Sequence, residues 1–311
     1  MRYYFAPMEG ITGHLYRKAH RDIFGAADKY FTPFLVPHTS RNFNSREKND
    51  ILPEHNEGSY LVPQILTNRA EDFIRLSKAL SEYGYEEVNL NLGCPSKTVV
   101  SKGKGAGFLA DPEAVDHFLE EVFSALSIKV SVKTRIGVED AKEFPKLLEI
   151  YNKYPLEELI IHPRLQTDYY KNHPNLEVFA QSVVDSKNPV CYNGDLFTKT
   201  DYESFRERFP QTERVMFGRG LITNPALIRT LREGKPLFKE ELMQFHDRIL
   251  SDYEAMKIGD RNVLFKMKEL WFYMITLFSD YKKAHKRIKK AQNLSVYREA
   301  VERLCAECEL R

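Results

Sequence analysis

The sequence predicts an α/β fold, namely a TIM (β/α)8 barrel followed by a C-terminal all-helical domain. Short runs rich in β-branched and aromatic residues alternate with longer amphipathic segments through residues 1–235. Eight such units over this length match the strand count and size of a TIM barrel. Beyond residue 236 only helical patterns remain. We therefore predict a barrel domain at 1–235 and a helical domain at 236–311.

The barrel region contains eight strand candidates in succession. They are Tyr3–Pro7, Lys29–Phe34, Tyr60–Leu66, Glu87–Leu92, Lys129–Lys133, Glu158–His162, Pro189–Asn193 and Arg214–Gly218. An amphipathic helix is predicted over Arg69–Tyr83. Asp111 precedes Pro112, which is the pattern of a capped helix start. A doubly wound sheet is the competing architecture, but its glycine-rich fingerprint follows the first strand, where this chain has APMEG.

The C-terminal region shows three long helical patterns, at Phe238–Met256, Val263–Ser279 and Val296–Cys308. Four aromatic residues of the second pattern are expected to form the core of the domain: Trp271, Phe272, Tyr273 and Phe278. The stretch DYKKAHKRIKKAQN places its cations within about three helical turns. These cations are Lys282, Lys283, Lys286, Arg287, Lys289 and Lys290.

The composition narrows the class of protein. A hydrophobic share of 42% and a charged share of 29% are typical of a soluble globular protein, and no apolar run has the length of a membrane helix. Four cysteines are too few for a disulfide framework in this chain, which favours a reducing cytoplasm. The net charge of +2 means that a polyanionic partner has to meet a local basic patch. Metal-binding and P-loop spacings are missing, so we expect no metal.

Polar or reactive side chains stand at nearly every predicted strand end. They are Pro7 and Met8, Gln64, Asn91 and Cys94, Lys133, His162, the Asn193–Gly194–Asp195 turn, and Gly218 with Arg219. In a TIM barrel the loops after the strands open onto one face, and the loops after strands seven and eight often bind phosphate. The pattern therefore predicts one site for a phosphorylated, amide-bearing cofactor together with one thiol.

Seven segments carry a family resemblance. FAPMEGIT, PQILTNR, NLNLGCPSKTVVSKGKGAGFLADP, VSVKTRIG, IIHPR, YNGD and MFGRGLITNP together resemble the flavin-dependent tRNA-dihydrouridine synthases of bacterial type. The segment around Cys94 is the most specific of them. The resemblance implies a TIM barrel with a C-terminal helical domain, FMN as bound cofactor, NADPH as reductant, and reduction of the C5–C6 bond of a D-loop uridine in tRNA.

The resemblance also implies roles for individual residues. Pro7 and Met8 match residues beside the flavin; Gln64, Lys133 and His162 match residues that hold its ring and ribityl chain; Asn193, Gly194, Asp195, Gly218 and Arg219 match the ribityl and phosphate loops. Asn91 matches a residue near the substrate uracil, and Cys94 matches the catalytic acid. Hydride entering at C6 leaves charge on O4, so a thiol that stays protonated can then protonate C5.

Two other features follow from this interpretation. The glycines Gly103, Gly105 and Gly107 are expected to make the Cys94 loop mobile. A uracil in folded tRNA has to be extruded to reach a barrel mouth, and the basic tail, with Lys282, Lys283, Lys286 and Arg287, is the candidate surface that holds the RNA. Arg164 is a further candidate for phosphate or RNA contact, although Leu165 stands where the family often has threonine.

Two alternative functions stay open. One is a flavin barrel that acts on a free pyrimidine, like dihydroorotate dehydrogenase, for which the basic tail would be dispensable. The other is a non-catalytic tRNA-binding protein on a retained barrel, which would be colourless and indifferent to loss of Cys94. We expect a monomer in either case.

Overall fold

The computed structural model describes all residues 1–311, and its central feature is a parallel β-sheet that curves into a barrel. The strands are β1 (Arg2–Phe5), β2 (Lys29–Phe31), β3 (Leu61–Val62), β4 (Gln64–Ile65), β5 (Glu87–Leu92), β6 (Lys129–Arg135), β7 (Leu159–His162), β8 (Val190–Asn193) and β9 (Arg214–Phe217). Helices or loops connect strands that pair with each other, as parallel pairing requires. The predicted TIM barrel is confirmed.

The barrel closes at Pro63. The strand order runs from β3 through β2, β1, β9, β8, β7, β6 and β5 to β4. Strands β3 and β4 are the two halves of the single run predicted at Tyr60–Leu66, separated by Pro63, which has no backbone N–H to donate. The first half pairs with β2 and the second half with β5, so the two ends of the order meet. The nine observed strands therefore correspond to the eight predicted ones.

Helices surround this barrel and then continue alone to the C-terminus. The barrel helices are α1 (His14–Phe24), α2 (Ser45–Ile51), α3 (Ala70–Glu82), α4 (Lys97–Val100), α5 (Pro112–Ala125), α6 (Phe144–Tyr151), α7 (Leu176–Asp185), α8 (Lys199–Arg208), α9 (Arg219–Thr223) and α10 (Leu227–Glu233). The C-terminal helices are α11 (Lys239–Ala255), α12 (Asp260–Met274), α13 (Lys282–Lys290) and α14 (Leu294–Glu307). The predicted cap of α5 is confirmed, since the Asp111 side chain accepts a hydrogen bond from the Ala114 N–H.

The C-terminal helices pack directly on the barrel. Helix α11 contacts α1, and α12 contacts α9. One apolar core of 71 buried residues extends from the barrel into these helices, and it includes Phe245 and Trp271. Because the core is continuous, the domain boundary at 235/236 stays a prediction. None of the helices combines the length and the apolar character that crossing a membrane takes.

Buried ion pairs fill the N-terminal end of the barrel. The Lys29 ammonium lies 2.6 Å from Glu87 Oε2 and 3.0 Å from Glu158 Oε1. Tyr4 donates its hydroxyl to the same Glu158 oxygen. A buried charge is tolerated only when it is paired and hydrogen-bonded in this way. These paired charges therefore fill the interior of the barrel at this end.

Candidate active site at the mouth of the barrel

The C-terminal ends of the strands enclose a cavity of about 270 Å³. Twelve of the predicted site residues line it: Pro7, Met8, Gln64, Asn91, Cys94, Lys133, His162, Asn193, Gly194, Asp195, Gly218 and Arg219. They come from strands and loops that are far apart in sequence, and the parallel barrel brings them to one face. The structure thus brings together all of the predicted cofactor residues, the thiol and Asn91; their individual roles stay predictions.

The Lys133 ammonium lines this cavity without a hydrogen-bond or ion-pair partner in the protein. Burial and, to a lesser extent, the neighbouring Arg135 guanidinium lower its pKa to about 8. A pKa of about 8 still leaves most of the ammonium charged at neutral pH. Lys133 lies inside β6, which extends two residues beyond the predicted strand end. The cavity therefore presents a desolvated cation to whatever occupies it.

His162 is a neutral hydrogen-bonding group. Its Nε2 lies 2.9 Å from Nη1 of Arg164, and an arginine can only donate, so Nε2 accepts and the proton sits on Nδ1. Burial, together with the surrounding Arg135 and Lys133 charges, holds the pKa of His162 well below its usual value of 6.5. The imidazole therefore offers one N–H donor rather than a positive charge.

Asp195 gathers two arginines beneath the cavity. Arg164 donates to both of its carboxylate oxygens, and Arg219 donates Nη2–H to Oδ1 at 2.6 Å. Arg164 also donates Nε–H to the carbonyl of Asn172 at 2.6 Å, and it is only 2% exposed. The prediction that Arg164 contacts RNA does not fit this geometry, because its guanidinium is already used in orienting His162 and Asp195.

The Cys94 loop is held by the side chain of Asn91. Asn91 Oδ1 accepts the backbone N–H groups of Gly93 and Cys94 at 3.0 and 2.9 Å. Its Nδ2 must then donate, and it reaches Gln64 Oε1 at 2.7 Å. Gln64 in turn donates Nε2–H to Asn89 Oδ1 at 2.8 Å. The side-chain amides of Gln64 and Asn91, both predicted to contact ligands, thus also hold the Cys94 loop in place.

Two of the loop glycines are required for close packing. A Cβ atom on Gly105 would lie 2.8 Å from the carbonyl oxygen of Cys94, and one on Gly107 would lie 2.8 Å from that of Val100. Gly105 also has a positive φ of 57°, which favours glycine. The segment between Cys94 and Asp111 forms α4 and a short 3₁₀ helix. Gly105 and Gly107 thus have a packing role, and the mobility predicted for the Cys94 loop stays a prediction.

The Cys94 thiol is partly buried and belongs to no disulfide. Burial raises its pKa above the usual value of 9.0, and this effect outweighs the opposing influence of Arg135 and Lys133. The group at the cavity mouth is therefore a protonated thiol at neutral pH. A protonated thiol is an acid, whereas a nucleophilic cysteine requires the thiolate.

Arg135 and Tyr170 are among the cavity residues that the sequence did not predict. Arg135 donates to the carbonyls of Gly93, Leu165 and Tyr169 at 2.7–2.9 Å, so it ties the Cys94 loop to the loop after β7. The alternation of side chains in a strand was the available signal, since residues 133 and 135 share a face. Tyr170 is 47% exposed, and its ring lies 4.4 Å from the Arg219 guanidinium. Nothing in the sequence marks that loop position.

The mouth of this closed parallel barrel brings a lysine, a neutral histidine and a protonated thiol around one cavity. This arrangement is that of a flavin-dependent oxidoreductase. The particular family follows from sequence comparison. The family model described as dihydrouridine synthase (Dus) matches residues 4–307, and the chain belongs to this family.

Curated relatives agree with this assignment. The chain is 28% identical over 278 residues to the tRNA-dihydrouridine(16) synthase of Cupriavidus necator, covering 83% of this chain and 85% of the relative. It is 28% identical over 290 residues to the tRNA-dihydrouridine(16) synthase of Pseudomonas putida, covering 89% and 88%. A probable tRNA-dihydrouridine synthase 2 of Bacillus subtilis is 28% identical over 226 residues, covering 71% and 69%.

Solved structures share the fold at low identity. A variant of NCR from Zymomonas mobilis superimposes with a TM-score of 0.53 at 14% identity, covering 78% of this chain and 90% of that chain. Morphinone reductase in complex with tetrahydroNAD gives a TM-score of 0.52 at 12% identity, with the same coverage. These similarities establish the barrel architecture and nothing about the substrate.

Proposed function

We propose that this protein is a tRNA-dihydrouridine synthase that uses bound FMN and NADPH to reduce the C5–C6 double bond of a D-loop uridine. The observation that carries the proposal is the protonated thiol of Cys94 at the mouth of a cavity lined by the unpaired ammonium of Lys133. Family membership and the names of the tRNA-modifying relatives support the same reaction.

The donor set of the cavity fits a phosphorylated flavin. Lys133 has no acceptor in the protein, and Arg219 shares a single carboxylate, that of Asp195, with Arg164. The backbone at Gly220 is packed so closely that a Cβ atom would lie 1.9 Å from the carbonyl oxygen of Leu196. That packing sets Gly220 against the loop after β8, and phosphate in barrels is bound by cations and by backbone N–H groups of the loops after the last two strands. Gly218, Arg219 and Gly220 would hold the phosphate, and Lys133 would lie at the ring.

The chemistry divides between the cofactor and the chain. Flavin bound in this cavity and reduced by NADPH would supply the hydride that adds to C6 of the uracil. Cys94 supplies the proton that completes the reduction at C5, since burial keeps the thiol protonated at neutral pH. Lys133 stabilises negative charge in the cavity, where the low dielectric strengthens its effect. Asn91 and Arg135 fix the backbone of the Cys94 loop at the mouth of the cavity, where an extruded base would enter.

One paired experiment tests the proposal. The protein is purified, its visible spectrum is recorded, and dihydrouridine is measured in unmodified tRNA after incubation with NADPH, for wild type and Cys94→Ala. We expect a yellow wild-type protein that forms dihydrouridine. The variant should retain the flavin spectrum and tRNA affinity while its rate falls about 10²- to 10⁴-fold, the range for loss of a general acid.

Each other outcome points to a different function. A yellow protein that leaves tRNA unchanged but reduces a free pyrimidine would make it a pyrimidine dehydrogenase. A protein that stays colourless with added FMN but still binds tRNA would make it a non-catalytic RNA-binding protein. Cys94→Ser is the matched control, because it preserves side-chain size while replacing the thiol by a much weaker acid.

A further inference from the structure

Helix α12 carries a stripe of four side chains on one face: Arg261, Phe265 and Phe272 are exposed, and Lys268 is half-buried. Their spacing of four, three and four residues places them within about 60° around the helix axis. Phe265 is 57% exposed and Phe272 is 63% exposed. The sequence predicted Phe272 in the core, and this prediction was wrong, because Trp271 takes the buried position beside it. Large aromatic side chains exposed together mark an interaction site.

The other faces of α12 are already in use. Met267, Leu270 and Trp271 pack in the apolar core. On the barrel side, Lys266 donates to the carbonyl of Gly10, in the loop that follows the cavity residues Pro7 and Met8. The stripe therefore lies outside the core-facing and barrel-facing sides of α12, and its two phenylalanines are exposed.

One edge of the stripe borders the cavity mouth. The rings of Phe272 and Tyr273 meet edge to face with their centroids 5.1 Å apart. Helix α12 packs against α9, the short helix that begins with Arg219 of the cavity. Tyr273 lies near enough to the cavity residues Tyr170 and Arg219 for their charges to act on it, so the stripe adjoins the side of α12 that faces the cavity.

The other edge joins the basic helix α13. Lys268 donates to the carbonyl oxygens of Lys289, at 3.0 Å, and of Ala291, at the C-terminal end of α13. The lysines of α13 are exposed and form no ion pairs. The stripe therefore connects the cavity to the strongest cluster of free positive charge on this part of the molecule.

The positive charge beside the two aromatic rings favours a nucleic acid as the partner of the stripe. The Arg261 guanidinium lies 5.7 Å from the centre of the Phe265 ring, and Lys268 separates the two phenylalanines along the stripe. Alternating cations and exposed aromatic rings suit a chain that carries phosphates and unpaired bases, because each base can stack on a ring while its phosphate meets a cation. An apolar protein surface would gain nothing from the two cations.

We propose that Phe265 and Phe272 form a stacking platform for unpaired nucleobases of the RNA substrate. This inference rests on the proposed function, since it takes tRNA as the molecule whose uridine enters the cavity. The two rings lie two helical turns apart, about 10 Å along the axis, so each ring receives its own base. Arg261 and Lys268 bind the intervening backbone.

The test measures the affinity for an unmodified tRNA transcript across a series of salt concentrations, for Phe265→Ala, Phe272→Ala and the double variant. Loss of a base stack lowers affinity roughly 5- to 100-fold. The slope of log K against log salt stays that of wild type, because no phosphate contact is lost. Phe238→Ala is the matched control, since Phe238 is a 52% exposed phenylalanine at the start of α11, and it should bind like wild type. Phe272→Trp should restore or increase affinity.

Several outcomes would overturn the platform. They are wild-type affinity in the double variant, an equal loss in Phe238→Ala, or a changed salt slope. If the double variant binds tRNA normally but loses self-association in sedimentation, the stripe is a protein interface instead. The dihydrouridine assay separates this proposal from the proposed function. If the wild-type protein forms no dihydrouridine but its tRNA affinity still depends on Phe272, the proposed enzymatic function is refuted and the stacking platform is not.

Discussion

The cavity and helix α13 both concentrate positive charge, yet they do so in opposite environments. In the cavity, Arg135 is buried, Lys133 is half-buried and lowered in pKa by desolvation, and Arg219 is paired with Asp195. On α13, Lys282, Lys283, Lys286, Lys289 and Lys290 are exposed and unpaired. Among the cations predicted there to bind RNA, Arg287 alone is engaged, in an ion pair with Glu307 at 2.6 Å.

This difference separates two uses of the same charge. A buried ammonium acts through position and pKa, because desolvation both strengthens its field and makes its charged form costly. Exposed lysines act together, because water and salt weaken each single contact with phosphate. The counterions released at each contact add up, so affinity grows with the number of contacts. Substitutions in the cavity should therefore change chemistry and cofactor binding, whereas substitutions on α13 should change RNA affinity and its salt dependence.

The largest effect within this comparison is expected for Lys133→Met. Loss of one preorganised charge in a buried site should lower the rate of dihydrouridine formation about 10²- to 10³-fold. The affinity of the wild-type apoprotein for FMN should also fall as pH rises through about 8, because the free ammonium loses its proton there. Flavin titrations at several pH values check this. The comparison fails if the FMN affinity of Lys133→Met falls near pH 8 as that of wild type does. Lys133→Arg is the control, and its FMN affinity should stay constant at high pH.

An intermediate effect is expected for Lys282→Ala combined with Lys286→Ala. The slope of log K for tRNA against log salt should become shallower by about one unit for each phosphate contact that is lost. The rate at saturating tRNA should stay that of wild type, and so should flavin binding. The control pair is Lys78→Ala with Lys187→Ala, two exposed and unpaired lysines on the barrel. Equal slopes for the two double variants would show that α13 is only a solvated helix face.

The smallest effect is a shift in the pH dependence of Cys94 alkylation. Burial raises the thiol pKa above 9.0, so the thiolate that reacts with iodoacetamide is scarce at neutral pH and increases only at alkaline pH. The alkylation rate should therefore reach half its maximum above pH 9, with Cys94→Ala as the baseline. In Arg135→Met the midpoint should rise further, because Arg135 lowers this pKa. A midpoint below pH 8 would contradict the role of Cys94 as an acid.

Local sequence determined most of the elements and the membership of the cavity. The strand at Glu87–Leu92 and the cap at Asp111 match the structure because periodicity and capping depend on neighbouring residues alone. The positions at strand ends converge because a parallel barrel brings every such end to one face. Family resemblance predicted the family, which the match over residues 4–307 confirms, whereas the roles of Cys94 and the strand-end residues stay predictions.

Tertiary structure decided the rest, because burial and pairing depend on residues far apart in sequence. Arg164 lies inside the protein, bonded to His162 and Asp195, although its motif predicted RNA contact. Phe272 is exposed although the adjacent Trp271 is buried in the core. Successive residues of a helix point in different directions, so one turn contains both core-facing and solvent-facing positions. The direction of the Cys94 pKa shift likewise depends on how deeply the folded chain buries the thiol, a quantity that no short stretch of sequence contains.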